Sequence, residues 1–255
     1  MKLRLKLKDL DLAKRFVCCR TTVSNIVNTF IHALHELLVV GVHQHENGMP
    51  SQQKCKGSMP DCFTGEFVSA RVAMDATEIT MDIPQDLNKQ AAAYSNYKSR
   101  HTVKGLTCVS PNVALVYCSS LYPGNTSDVA IVQHSQLMKK FVPGDLILAD
   151  KGFTIHNQLP AGVHLNIPPF LVGKTHFTAR EGQECAKIGR ARIHVERANE
   201  RMKNFEILNH IPNHYRPLST KIFQLCGCLI NLQAPLLKEI SDKYVMPLVE
   251  SSDSE

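Results

Sequence analysis

The apolar run that leads to Asp75 in VSARVAMDATEI (68–79) and the run PGDLILAD (143–150) that stops at Asp150 constrain this chain more than any other feature. Both are rich in strand formers, and aspartate is a poor strand former. An aspartate at the end of such a run either starts a turn or faces a ligand. Between the two runs, HTVKGLTCVS (101–110) and VALVYCSS (113–120) read as a hairpin turned at Pro111-Asn112. PGNTSDVAIVQHSQLMKKF (123–141) opens as a turn and continues as a helix, with Ser127 or Asp128 as its cap. NIPPF (166–170) reads as a short edge strand, and helical patterns dominate from about 178 to 241. Three strands, a helix, a strand and then helices predict an α/β domain with one mixed sheet flanked by helices.

Ahead of this domain, LKDLDLAKRF and TTVSNIVNTFIHALHELL both keep a helical period. Two helices joined by a short turn predict a small helix-turn-helix-like module over 1–40. Val17 stands about where the turn would want a positive φ, a position glycine usually fills. Residues 41–66 are polar, with two prolines and four glycines, and read as a linker. The pairs His43/His45 and Cys55/Cys62 match no common zinc-finger spacing and read as loop residues. The sheet domain then runs over 67–244, and 245–255 form an acidic tail.

Charge bears on the partner. The chain of 255 residues has a net charge of +6, with seven Lys/Arg in residues 1–20 and six in 187–203. That leans toward DNA. Nine cysteines, an odd number lying mostly inside apolar runs with no cleavable signal sequence ahead of them, point to a reducing compartment. No stretch approaches 18 uncharged apolar residues, so no membrane span is expected.

The second cluster of basic residues surrounds a third carboxylate. In GRARIHVERANERMK (189–203), Arg192, Glu196, Asn199 and Lys203 fall within about 60° of one another on a helical wheel. Val195, Ala198, Met202 and Phe205 form an apolar stripe beside them, suited to packing on a sheet. An i,i+4 ladder would explain Arg192 and Glu196 alone. It does not explain Asp75 and Asp150 upstream, and the spacing D-x74-D-x45-E is the sharper pattern. Asp82 reads as a loop residue and Glu200 as a partner of nearby arginines. YSNYKSRHTVK (94–104) mixes two tyrosines with four basic residues, as a nucleic-acid groove would or as the solvated start of a hairpin would.

The row Arg192-x3-Glu196-x6-Lys203 resembles the arginine-glutamate-lysine signature of DDE transposases of the IS4/IS5 kind, with Gly189 in place of its tyrosine. MDATEI and LADKGF resemble the two aspartate motifs of that family. AYSNYKSRHTVKGLTC, YPGNTSDVAIV and ARIHVERANERMKNFEIL are similar to the DDE superfamily endonucleases related to the PIF/Harbinger group. The resemblance spans roughly 67–240. It implies a ribonuclease H-like fold in which Asp75, Asp150 and Glu196 are the catalytic carboxylates. These three would also be the ligands of Mg²⁺ or Mn²⁺ in a two-metal site. Three carboxylates on one edge could not stay ionised together without such a cation. Arg192, Lys203, Asn199 and Lys151 would contact DNA phosphates.

Two functions follow from the resemblance. One is a metal-dependent DNA endonuclease or transposase-like enzyme, with strand transfer as a further activity. The other is a domesticated DNA-binding protein of transposase origin that has lost turnover. DNA is the expected partner in both, with a homo-oligomer and a separate DNA-binding protein as further partners. Residence in the nucleus, with a cytoplasmic fraction, is the expected localisation.

Overall fold

A computed structural model describes residues 1–43, 48–60, 63, 65–168, 178–234 and 236. The chain opens with helices α1 (Lys2–Leu5), α2 (Asp9–Arg15) and α3 (Arg20–Leu34), and α3 continues as a wider π-helical stretch over His35–His43. Helix α4 (Gln52–Gly57) precedes the sheet. Strand β1 (Ala70–Met81), helix α5 (Leu87–Ala93), and strands β2 (Tyr94–Ser95), β3 (Arg100–Val109), β4 (Leu115–Cys118) and β5 (Tyr122–Pro123) follow. Then come α6 (Asp128–Ser135), β6 (Leu146–Leu148), β7 (His164–Asn166), α7 (Ala179–Lys203), β8 (His210–Ile211) and α8 (Ser219–Ile230).

The expected mixed α/β architecture is present. The sheet runs β2-β3-β1-β6-β7, with β4 and β5 on β3 and β8 on β1. β3 is antiparallel to β1, whereas β6 and β8 pair with β1 in parallel and β7 is parallel to β6. Alternation along β1 divides the core. Val72 and Met74 pack with Ile131, Val132 and Phe153 on one face. Ala73, Ile79 and Met81 pack with Val195, Ala198, Met202 and Phe223 on the other. The stripe expected on the late helix is buried as read, and it extends back to Ala191 and Ile188. A buried ion pair ties the start of β1 to the approach to β6. Arg71 Nη1 lies 2.9 Å from Asp145 Oδ1, and Asp145 also accepts from Gln52 and from the Val142 N–H.

Several local readings need amendment. β1 does not end at Asp75 but continues six residues further, to Met81. Thr77 and Ile79 still have partners in β3, and Met81 pairs with Ile211 of β8, which joins the far end of β1. The edge strand expected at 166–170 lies earlier, over His164–Asn166, and residues 169–177 fall outside the described residues. His45, Cys62 and the acidic tail also fall outside them.

The N-terminal helices lie against the sheet domain. Ile31 belongs to the same core as Phe223, and His35 Nε2 is 2.8 Å from Gln224 Oε1 on α8. As a helix, Arg20–Gly41 has a mean hydropathy of 1.3, long and apolar enough to cross a membrane by length and composition. Polar residues recur every few positions along it, so no uninterrupted apolar run marks it in the sequence. Its inner side packs on α8, and Ile26, Phe30 and Leu37 on its outer side face solvent. Val17, between α2 and α3, does adopt the positive φ that the turn demands, at 51°.

Candidate active site

Parallel pairing of β1 and β6 brings the two aspartates together. Ala73 is the register partner of Leu148, so two residues further along each chain stand Asp75 and Asp150. β6 ends at Leu148 and β8 does not reach β1 until Thr80, which leaves the β1 edge open between them. A cleft of about 470 Å³ occupies this place, lined among others by Asp75, Asp150, Phe153 and Lys203. Ligand sites form where parallel strands end and diverge in this way.

Helix α7 crosses over the aspartates. Asn199 is buried, donates from Nδ2 to Asp75 Oδ2 at 2.8 Å, and has its Oδ1 2.8 Å from the Thr107 hydroxyl. Two helical turns earlier, Arg192 stands between two acids, 3.2 Å from Asp150 Oδ1 and 3.9 Å from Glu196 Oε1. The guanidinium is only 11% exposed, whereas the Asp150 and Glu196 side chains are 54% and 59% exposed. The Lys151 backbone N–H donates to Asp150 Oδ1 at 2.8 Å, and Lys203 is exposed on the cleft wall.

Burial pushes the Asp75 carboxyl above its ordinary pKa. The Asn199 hydrogen bond and the Arg192 charge pull it back in part, and the Glu196 charge pushes it further up. As the side chains stand, no group of three or more His, Cys, Asp and Glu among the described residues is close enough to hold a metal ion. The carboxylates of Asp75 and Asp150 at the cleft and of Glu196 on the covering helix are hard oxygen ligands of the kind a divalent cation takes, and Arg192, which supplies no ligand, pairs with Asp150 and Glu196 in their place here.

On the opposite face of β1 and β3 the same cleft holds a cluster that sequence reasoning largely passed over. The Lys104 ammonium lies 3.1 Å from the Thr126 carbonyl, 3.3 Å from Asp128 Oδ1 and 3.5 Å from Glu78 Oε1. Glu78 and Lys104 are register partners in the β1/β3 ladder. The helix cap is Ser127, whose side chain accepts from the Ala130 N–H, so Asp128 is left to face the cleft. A Cβ built on Gly152 would stand 3.0 Å from Asp128 Oδ2, so the turn after Asp150 lies close against that carboxylate. The available signal was the period of β3, where Lys104 shares a face with Leu106 and Cys108 and so must point at the sheet's other layer. Tyr97 and Lys98 line the cleft as well. Asp82 lies outside it, in the loop expected for it, paired with His210 at 2.8 Å.

Similarity to known proteins agrees with this geometry. Residues 74–231 match the family model described as DDE superfamily endonuclease, a stretch that contains Asp75, Asp150 and Glu196. The chain is similar to "Putative nuclease HARBI1" of Rattus norvegicus, with 25% identity over 156 residues, 59% of this chain and 42% of that protein. It thus spans less than half the length of that relative. No solved structure gives a significant match. With the family match covering more than half of its residues, the chain belongs to the DDE superfamily endonucleases.

Proposed function

We propose that this protein is a metal-dependent DNA nuclease that cleaves phosphodiester bonds with Asp75, Asp150 and Glu196. The observation that carries the reading is the parallel β1/β6 register, which sets Asp75 beside Asp150 under the helix that bears Glu196. A ribonuclease H-like fold belongs to the same proposal. It is supported by the order β4-β3-β1-β6-β7, with β3 alone running opposite to its neighbours.

Asp75, Asp150 and Glu196 would hold Mg²⁺ or Mn²⁺, in a two-metal arrangement. A bound divalent ion would supply Lewis acidity toward phosphate and a water that deprotonates near neutral pH. The chain's own residues do the rest. Asn199, fixed by Thr107, holds the Asp75 carboxylate in one orientation. Buried in this way, Asn199 acts on Asp75 and not, as the resemblance implies, on a phosphate. Arg192 offsets the charge of Asp150 and Glu196 and is placed to stabilise negative charge that builds on a phosphate between them. Lys203 and Lys151 would hold DNA phosphates flanking that position.

Helices α2 and α3 would act as a helix-turn-helix-like DNA reader, a role supported by their short turn and by Val17 at positive φ. The row Ile26, Phe30 and Leu37 supports docking of a second copy or of a separate DNA-binding protein. Nuclear residence follows from a DNA substrate, and strand transfer would require recognition of element ends.

The test is nicking of supercoiled plasmid in Mn²⁺ or Mg²⁺, with an EDTA control and a Glu196→Gln variant alongside. Nicking by the wild type that disappears in EDTA and in the variant is the expected result. If both folded proteins bind DNA and neither nicks it with either metal, the non-catalytic DNA-binding reading replaces the nuclease one.

A further inference from the structure

A second cleft, of about 400 Å³, continues from the candidate active site. It is lined by Ile79, Thr80, Arg100 and Thr102 and shares Glu78, Lys98 and Lys203 with the first cleft. A path therefore leads from Asp75 and Asp150, past Lys203, to Lys98 and Arg100. Three cations against the one carboxylate of Glu78 make it attractive to a phosphate backbone.

At the junction stands the turn between β2 and β3. Tyr97, at its tip, is 84% exposed, and the Lys98 ammonium lies 5.1 Å from its ring centroid. This turn is built to hold its shape. The buried Ser95 hydroxyl accepts from the Lys98 N–H at 3.3 Å, Ser99 takes a positive φ of 50°, and Tyr94 and Ser95 pair with His101 and Arg100 in the ladder. A tyrosine left in water on a fixed turn buries nothing in the fold. Beside a basic groove its ring offers a flat surface on which any base can stack.

The groove and the tyrosine serve different groups of one ligand. Cations track phosphates whether or not the bases are paired, but a ring at the groove rim reaches a base face only where that base has left its duplex stack. We infer that the path joining the two clefts takes a short unpaired DNA segment adjoining the cleaved phosphate, with Tyr97 at the rim of the first cleft as the stacking platform and Lys98 and Arg100 on its backbone. The inference rests on the nuclease reading for its substrate, though not for its test.

The full chain is titrated in EDTA against a labelled 20-base-pair duplex, blunt or with a three-nucleotide overhang, and binding is followed by fluorescence anisotropy. The wild type should bind the overhang form roughly tenfold more tightly than the blunt form, the range that one stacked base provides. Tyr97→Ala should abolish that preference and Tyr97→Trp should keep it. Lys98→Ala should weaken both forms together and flatten the dependence on salt. Tyr97 is exposed, so circular dichroism is expected to be unchanged in both of its variants. Equal binding of blunt and overhang DNA by the wild type, or a preference that survives in Tyr97→Ala, overturns the inference. No turnover is needed in EDTA. A protein that prefers overhangs yet never nicks plasmid keeps the channel and loses the nuclease reading, and one that nicks without any preference does the reverse.

Discussion

Asp75 is half-buried, accepts hydrogen bonds from the Asn199 side chain and the Ala76 backbone, and stands near the charge of Glu196. Its pKa is raised, so the native state binds a proton more readily than the unfolded chain does. Stability attached to this group therefore falls as pH rises from the ordinary aspartate range through the raised value, and the cost is fully present above that value. Asp75→Asn should remove it, raising Tm in EDTA by about 2–4 °C, the shift that ~1 kcal/mol brings at this chain length, while abolishing nicking. Adding Mg²⁺ or Mn²⁺ should raise the Tm of the wild type and leave the variant unmoved, because only a fold that binds the ion is stabilised by it. His194 has the opposite sign. Burial lowers its pKa to about 4, and the neighbouring Arg197 charge adds to the effect. The unfolded chain takes up this proton first, so stability should be lost as pH falls from the ordinary histidine range toward about 4. His194→Gln should flatten denaturant midpoints measured across that window.

At the scale of elements, the contact between α8 and the sheet depends on two glycines. Gly227 lies where an added Cβ would meet Leu115 at 2.6 Å and Cys118 Sγ at 2.7 Å, and Gly105 of β3 faces the Phe223 ring as closely. Helix and strands can touch there only because both lack a side chain. Gly227→Ala should cost about 1–3 kcal/mol in urea denaturation, the usual penalty of overpacking, despite alanine's better helix propensity. The apolar stripe on α7 was legible from its period, and the hairpin β3–β4 from its turn residues. The extension of β1 past Asp75 was not, because an aspartate reads locally as a stop. Pairing along β3 outweighs that local preference, and so Asp75 sits inside a strand with its carboxyl directed at α7.

For the molecule as a whole, the helical N-terminus is part of the packing around the sheet. Ile31 and Val39 are buried, His35 is hydrogen-bonded to Gln224, and the Lys6 ammonium donates to the His210 carbonyl at 2.7 Å. A chain starting at residue 41 should therefore melt several degrees lower than the full chain in a calorimetric scan. An unchanged Tm would mean that residues 1–40 are an independent module. The three acids, their order and the basic helix were written in linear order, because residue type and period are local properties. A DDE spacing can be recognised without knowing what touches what. Which of the surrounding side chains serve the acids was decided in three dimensions. Asn199 turns inward to Asp75, Arg192 spans Asp150 and Glu196, and Lys104 gathers Glu78 and Asp128 from separate elements. These partnerships depend on strand register and on the rotation of α7 over the sheet. Both are settled by burial of apolar faces contributed by segments far apart in the chain, and no local pattern encodes them.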